Sequence, residues 1–264
     1  MSTPTVTLTA RQWKSFCKVL TGLARACNDV DINEGMIRQC SNDRDAIFEV
    51  DLRPLVGGAA FTIPYFKEKL KPLKSFKSGV TITLGQNQAV FSDGDSPYTI
   101  LVPDRNNLDN KFMSQQEIES WLPAGYREMP PLIRNRIGEK ILKRIRTFLS
   151  KVHADTYKVI FVKHSASLRV ERKAEGPREP GYYMEFIRDI PLFQPTTGHG
   201  QLPSLPFKSL DWEKDIVWEV CRREKTILIR NYGEIGAVKA TIYLAGEMID
   251  NPPGPESQAK RQSG

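Results

Sequence analysis

The chain has 264 residues, which suits one large domain or two domains of ordinary size. Apolar residues make up 40% of it and charged residues 26%, a composition typical of a globular protein rather than a disordered one. The formal net charge of +7 favours an anionic partner such as nucleic acid. No apolar run approaches the roughly 18 residues that a membrane span requires.

The first predicted helix covers residues 10–27. Thr9 and Gln12 have the spacing of a capping box, in which each side chain bonds to the other residue's backbone amide. One side of this helix is apolar, and it carries Trp13, Phe16, Leu20, Leu23 and Cys27. A second stripe is cationic and contains no acidic residue: Arg11, Lys14, Lys18 and Arg25.

A second, shorter helix is predicted between two groups of strands. Thr62 is suited to cap it, Pro64 to begin it, and Pro72 to end it near Leu70. Its cationic residues are Lys67 and Lys71, with Lys74 and Lys77 in the following loop. The strands of this half are predicted at 36–40, 46–52, 80–84, 88–91 and 98–102.

A connector rich in Asn, Asp, Gln and Pro follows, within which Ser114 is expected to cap a short helix ending at Trp121. The clearest helical pattern comes next, over residues 133–152. Its apolar residues are spaced by three or four: Ile133, Ile137, Ile141, Ile145, Phe148 and Val152. Its cationic residues lie mostly on the other side: Arg136, Lys140, Lys143, Arg144 and Lys151.

The rest of the second half resembles the first half in its order of elements. Strands are predicted at 157–163, 166–172 and 182–187, followed by an irregular insert at 191–203 and a short helix at 206–212. Three strands at 216–221, 226–230 and 238–244 end the half. Both short helices begin on a similar sequence, Thr62-Ile63-Pro64-Tyr65 in one and Ser204-Leu205-Pro206-Phe207 in the other. The pattern predicts an internal duplication.

Positive charge is concentrated on the predicted helices. The stretches 10–27, 64–77, 133–152 and 206–214 contain 18 Lys/Arg and 4 Asp/Glu, whereas the remaining chain contains 20 and 27. If the helices share one side of the sheets, their outer faces form one basic surface. Such a surface attracts a phosphate backbone and has no means of reading bases.

This arrangement resembles the DNA sliding clamps, the family that includes eukaryotic PCNA and the T4-like phage clamps. The resemblance covers residues 6–248. The segment from Ala46 to Leu52 followed by Phe61 to Lys67 is similar to the PCNA passage into its second helix. Ile227 to Leu244, with Gly233 and Gly236 near the turn, resembles the closing hairpin of the phage clamps.

The resemblance implies an α+β fold of duplicated DNA-clamp domains, with antiparallel sheets and two helices per domain on one face. The domains are expected at 1–105 and 132–249, separated by an interdomain connector at 106–131 and followed by a disordered tail at 250–264. A ring of six domains implies a homotrimer around duplex DNA, with a DNA polymerase and a clamp loader ATPase as partners. The expected DNA-binding residues are Arg11, Lys14, Lys18, Arg25, Lys67, Lys71, Arg136, Lys140, Lys143, Arg144 and Lys151.

Two other classes of function stay open. Many ring clamps are net negative, whereas this chain is net positive, which also suits a monomeric DNA-binding processivity or transcription accessory factor. A structural or virion protein with the same fold is the second alternative.

Within the connector, Gln115, Ile118, Trp121 and Leu122 reproduce the spacing of a clamp-binding peptide. The simpler interpretation is an amphipathic turn that docks on its own domain, and the other is a segment that occupies a clamp pocket.

An enzyme is not expected. The sequence lacks the phosphate-binding GxxxxGK[ST] motif, a GxGxxG after a strand, HExxH and GxSxG. Cys17, Cys27, Cys40 and Cys221 form no CxxC pair and, with the scattered histidines, no zinc set. We therefore expect reduced core thiols, no metal and no cofactor. The start of the chain has no secretory pattern, so a cytoplasmic location is expected, in the host cytoplasm if the protein is viral.

Overall fold

The computed structural model describes residues 4–94, 96–102, 107–152, 156–172, 182–203, 210 and 215–249. The tail predicted at 250–264 and, apart from Leu210, the helix predicted at 206–212 lie outside the described residues. The first half contains β1 (Thr5–Leu8), α1 (Ala10–Leu23), β2 (Val30–Asn33), β3 (Met36–Cys40), β4 (Ile47–Asp51), α2 (Arg53–Val56), β5 (Phe61–Ile63), α3 (Phe66–Leu73), β6 (Val80–Leu84), β7 (Gln88–Ser92) and β8 (Pro97–Leu101). The connector contains α4 (Gln115–Trp121), and the second half contains β9 (Pro131–Ile137), α5 (Glu139–Val152), β10 (Thr156–Val162), β11 (Ser165–Arg172), β12 (Tyr182–Pro191), β13 (Gly198–Pro203), β14 (Ile216–Arg223), β15 (Thr226–Ile235) and β16 (Val238–Ile249).

The two halves have the same strand connectivity. In the first half the strands pair in the orders β1-β6-β7-β8 and β5-β2-β3-β4. In the second half they pair in the orders β9-β14-β15-β16 and β13-β10-β11-β12. The two pairs of orders correspond strand for strand, and the duplication predicted from the sequence is therefore confirmed. The exact domain boundaries stay a prediction.

The halves are joined by hydrogen bonds between β4 and β16. Residues 239–243 of β16 pair with residues 47–51 of β4, and the last three residues of β16 pair with β13. The other edge of β16 is paired with β15 along ten residues. A second contact joins α1 to the β15–β16 turn, where Gly236 adopts a φ of +62° and a Cβ on it would lie 2.4 Å from Ser15 Oγ.

The main core lies between the helices α1, α3 and α5 and one face of the sheets. Alternate strand residues such as Phe48, Ile229 and Ile242 belong to this core. Their neighbours Ile47, Leu228 and Tyr243 belong to a smaller apolar cluster. Because successive side chains of a strand point to opposite faces, the smaller cluster lies on the opposite face of the sheet. The described long helices therefore share one face, as the fold prediction requires.

The smaller cluster is covered by α4. Ser114 caps the helix, as the sequence predicts, and Glu117 completes a capping box with it. Ile118 is fully buried in the cluster and Leu122 is 7% exposed. The connector helix therefore docks on its own chain.

The helix predicted over 133–152 is wrong over its first six residues, 133–138. Residues 131–137 form strand β9, and α5 begins only at Glu139. A spacing of four residues is even, so Ile133 and Ile137 lie on one face of a strand as well as on one face of a helix. Gly138 lies where the strand gives way to the helix, and glycine is a poor residue for a helix interior.

Other elements and boundaries also differ from the predictions: strands β1 and β2 are not predicted, and strands β12, β14, β15 and β16 extend beyond their predicted ends. Helix α1 ends at Leu23 rather than at residue 27, and α3 begins at Phe66 and continues through Pro72 to Leu73. Thr62 is not a helix cap, because it lies in strand β5, where its hydroxyl donates to Asp31 Oδ1 at 2.9 Å. The insert predicted as irregular contains strand β13.

The four cysteines are free thiols, of which Cys17, Cys27 and Cys221 are buried. Burial raises the pKa of Cys17 and of Cys27 to about 12, which keeps both thiols protonated at neutral pH. The expectation of reduced core thiols is confirmed for these residues. In the part of the chain that is described, no helix has the length and apolar character needed to cross a membrane.

Candidate nucleic-acid interface

The shared helix face is strongly cationic. Together α1, α3 and α5 carry eleven Lys/Arg and only two Asp/Glu, which are Glu68 and Glu139. The apolar sides of the helices are buried in the core, so most of the charged side chains are exposed on the outer side. This distribution follows from the amphipathic pattern of each helix.

Helix α1 is positioned by its cap and by its apolar side. The Thr9 hydroxyl accepts a hydrogen bond from the Gln12 amide at 3.3 Å, and Gln12 Oε1 accepts one from the Thr9 amide at 2.9 Å. Trp13 is 3% exposed, and its ring stacks on Phe16 with centroids 5.5 Å apart. With these residues fixed in the core, Arg11 and Lys14 are exposed to solvent.

A groove of about 740 Å³ lies between α1 and the segment that follows α3. Five of the residues that line it are cationic, and none is acidic: Arg11, Lys14, Lys18, Lys74 and Lys77. Its walls also include Trp13 and Phe76, whose rings meet edge to face at 6.1 Å. Cations that face one concave, acid-free surface create a focused positive potential, which attracts a run of phosphates.

The sequence prediction identified Arg11, Lys14 and Lys18 but not the opposite wall of this groove. The sequence predicts Lys74 and Lys77 in the loop after the helix, and they are not among the expected DNA-binding residues. The sequence does contain a signal for Lys74, because Lys67, Lys71 and Lys74 follow one another at helical spacing. The helix does continue to Leu73, which brings Lys74 beside α1.

The remaining expected residues of the first half lie near the groove without lining it. Lys67 and Lys71 are exposed on α3. Arg25 follows the end of α1 in a turn and is exposed. Their role in DNA binding stays a prediction.

Helix α5 exposes the second set of expected residues. Lys140, Lys143, Arg144 and Lys151 are all exposed. Lys143 Nζ lies 2.5 Å from Glu139 Oε1, so part of its charge is neutralised locally, and the same contact lowers the pKa of Glu139. Arg146, which was not among the expected residues, instead donates to the backbone oxygen of Leu210 and has a structural role.

Arg136 does not lie on a helix, which corrects its predicted position. It is an exposed residue of strand β9 and lines a cavity of about 800 Å³ within the second half. That cavity is mixed in charge, since its lining also includes Glu139, Asp215, Glu234 and Lys239. Because the acidic residues repel phosphate, this cavity binds phosphate less favourably than the groove beside α1.

Metal ligands and reactive thiols are the other groups of interest in the described part of this face. Among the described residues, no group of three or more His, Cys, Asp or Glu side chains is placed to hold a metal ion. The Cys17 thiol in the groove stays protonated because burial raises its pKa to about 12, despite the opposing charge of Lys74. What the face provides is positive charge on helices whose apolar sides are buried in the core.

Comparison with solved structures gives strong matches along most of the chain. Proliferating cellular nuclear antigen (PCNA) from Entamoeba histolytica superposes with a TM-score of 0.60, over 93% of this chain and 99% of that one. The chain has the PCNA sliding-clamp fold. A PCNA2–PCNA3 complex from Sulfolobus tokodaii matches with a TM-score of 0.56, over 92% of this chain and 99% of that chain.

The PCNA likeness is one of structure rather than of sequence. Identity is 14% with the Entamoeba protein and 10% with the Sulfolobus one. The sequence matches no family model and no curated protein. At these identities the PCNA likeness establishes the fold, and function has to be argued from the surface of this chain.

Proposed function

We propose that the protein is a DNA polymerase sliding clamp, a processivity factor that encircles duplex DNA as a homotrimeric ring. The helix face attracts the phosphate backbone by displacing its counterions, and this attraction is independent of sequence and permits sliding. The action is physical and needs no catalytic residue. The partners are duplex DNA, a DNA polymerase and a clamp loader ATPase.

The observation that carries the proposal is a pair of unused strand edges. The junction inside the chain joins β4 to β16. Each of these strands has a counterpart in the other half, since β12 corresponds to β4 and β8 corresponds to β16. Among the described strands β12 pairs only with β11, and β8 pairs only with β7. The counterpart of β16, which is β8, and the counterpart of β4, which is β12, therefore each keep one unpaired edge at the end of a sheet.

Pairing β8 of one chain with β12 of the next would repeat the internal junction between molecules. Such a head-to-tail contact closes into a ring when its rotation divides a full turn. The two edges also expose large apolar side chains, since Leu101 is 73% exposed on β8, and Tyr183 is 54% exposed on β12. Open edges of this kind promote association.

The decisive experiment combines mass in solution with the topology of the DNA. Size-exclusion chromatography with light scattering is expected to give a trimer. The trimer, once loaded, should stay on closed circular DNA in high salt and leave when the circle is cut. A monomer with strongly salt-dependent affinity would assign the monomeric DNA-binding factor. A chain without DNA affinity would assign the structural or virion class.

A further inference from the structure

The groove beside α1 holds positive charge that is not neutralised by neighbouring side chains. Four of the cations that line it form no ion pair within the described residues: Arg11, Lys14, Lys74 and Lys77. On α5, by contrast, Lys143 Nζ lies 2.5 Å from Glu139 Oε1. Helix α1 contains no acidic residue, and α3 contains only Glu68. The charge of the groove is therefore available to a ligand.

The cations stand on two facing walls. On α1 they follow one another at spacings of three and four residues from Arg11 to Lys18, so they span about 10 Å along the helix. Lys74 and Lys77 belong to the other wall. Burial raises the pKa of the Cys17 thiol on α1, and the charge of Lys74 acts against that rise, which places Lys74 within electrostatic range of the opposite wall. An anion in the groove is therefore attracted from both sides.

The start of α1 adds to this field. Ala10 and Arg11, the first two residues of this 14-residue helix, line the groove. The backbone amides at a helix N-terminus carry a partial positive charge and are suited to bind phosphate. The first turn of α1 has no acidic residue to oppose them.

The size of the groove separates small anions from duplex DNA. Its volume of about 740 Å³ lies within the range of small-molecule pockets, roughly 300–1,000 Å³. A duplex is too wide to enter such a space, so its phosphates meet these cations only at the rim. A linear chain of phosphates is narrow enough to lie between the walls. Its charges are also closer together than those of a DNA strand, because neighbouring phosphates share an oxygen instead of being separated by a sugar.

We propose that the groove beside α1 is a binding site for a short linear polyphosphate, such as the triphosphate chain of a free nucleotide. The unpaired cations of both walls bind the chain through charge-assisted hydrogen bonds. Because duplex DNA uses the same cations at the rim, a bound polyphosphate competes with DNA at this part of the helix face. The site does not depend on the clamp function, and only the competition rests on that proposal.

Calorimetric titration of the full-length protein with inorganic tripolyphosphate at low salt, without DNA, tests the site. One tripolyphosphate per chain should bind, at least about tenfold more tightly than orthophosphate, because the longer chain reaches more of the cations. The Lys14→Gln/Lys77→Gln variant should lose at least about tenfold in affinity. The matched control, Lys140→Gln/Lys151→Gln, removes two exposed cations from α5 and should bind like wild type. Circular dichroism establishes that each variant is folded.

ATP, titrated in the same way, identifies the source of the phosphate chain. Equal affinities for ATP and tripolyphosphate assign the chain alone, and tighter binding of ATP assigns a whole nucleotide. In either case the Lys14→Gln/Lys77→Gln variant must lose the binding.

Competition is measured by the fluorescence anisotropy of labelled duplex DNA. Saturating tripolyphosphate should weaken DNA binding by wild type more than sodium chloride of the same ionic strength does. In the Lys14→Gln/Lys77→Gln variant the two salts should have the same effect.

Two results would overturn the site. One is a wild-type protein that does not bind tripolyphosphate. The other is an equal loss of affinity in the groove variant and in the α5 control, which would assign a general attraction to the helix face. Polyphosphate and DNA that bind together without competing would overturn the shared use of these cations. A chain with no affinity for duplex DNA would remove the clamp function, and the calorimetry would still decide for or against the polyphosphate site.

Discussion

At the scale of single residues, Glu219 is a buried ionic group on the sheet face opposite the long helices. Its side chain is 3% exposed and accepts from Arg134 Nε at 2.5 Å and from the Tyr232 hydroxyl at 3.1 Å. Its second oxygen lies 2.8 Å from Arg230 Nη2, on an arginine that is itself 9% exposed. Arg134 is largely exposed, so Arg230 is the buried charge that pairs with Glu219, and removing the carboxylate leaves Arg230 buried without an acidic partner.

Replacing Glu219 with alanine should lower the free energy of unfolding by about 3–5 kcal/mol, because Arg230 is left buried without its carboxylate. Urea denaturation measures the change. Arg134→Ala is the control, since this arginine is 58% exposed and should contribute at most about 1 kcal/mol. Equal losses in the two variants would contradict the assignment of the buried pair.

Gly236 is required by its backbone conformation and by its neighbour on α1. An alanine there would add strain at a φ of +62° and place its Cβ 2.4 Å from Ser15 Oγ. Gly236→Ala should destabilise the protein by about 1–3 kcal/mol. Ser15→Ala removes the nearest atom, so the double variant should recover part of the loss in a thermodynamic cycle. No recovery would show that the contact with α1 does not contribute.

At the scale of elements, the cationic groove beside α1 can be tested by charge reversal. Lys14→Glu with Lys74→Glu removes two groove cations. The slope of log affinity for duplex DNA against log salt concentration should become shallower by about 1.8, from two lost phosphate contacts. The control, Lys163→Glu with Lys225→Glu, changes the net charge equally at exposed sites outside the groove. An equal effect in the control would mean that net charge, rather than the groove, attracts DNA.

The elements that the sequence predicted well are those in which one pattern admits one structure. Strand β6 has the predicted bounds, and the capping boxes of α1 and α4 begin the predicted helices. The sequence predicts a helix where strand β9 forms, because a four-residue spacing of apolar residues fits both structures. Strand β13 was missed because its sequence, GHGQLP, has no β-branched residue, and its pairing with β10 and β16 overrides weak propensity.

The part of the candidate site that depends on a local pattern could also be predicted from the sequence. Helical spacing identified the cations of α1, since a stripe on one helix is a local property of the sequence. The groove is a tertiary feature, formed where the end of α3 approaches α1, and Lys74 and Lys77 join it only through that approach. Arg136 is the opposite case. The sequence predicts it on a helix, but it lies on strand β9 and lines a different cavity.

At the scale of the whole molecule, the proposed ring depends on the edges of β8 and β12. A lysine at Leu101 or at Tyr183 places a charge on an exposed apolar edge position. Either substitution should convert the trimer to a monomer in light scattering at micromolar concentration, with the melting temperature of the monomer unchanged. Val162→Lys is the control, since Val162 is 64% exposed on β10, a strand paired on both sides. A trimer that survives both edge variants would exclude these strands as the interface.

Strand β16 has a consequence for the integrity of the chain. Its first half is bonded to β4, so the covalent connector is not the only link between the halves. A protease that cuts the exposed turn at Ala124–Gly125 would leave two fragments joined by the β4–β16 ladder and by the Ser15–Gly236 contact. The nicked protein should elute as one particle and separate only in denaturant. Each fragment expressed alone, by contrast, would have an unpaired strand edge and should aggregate by pairing with other chains.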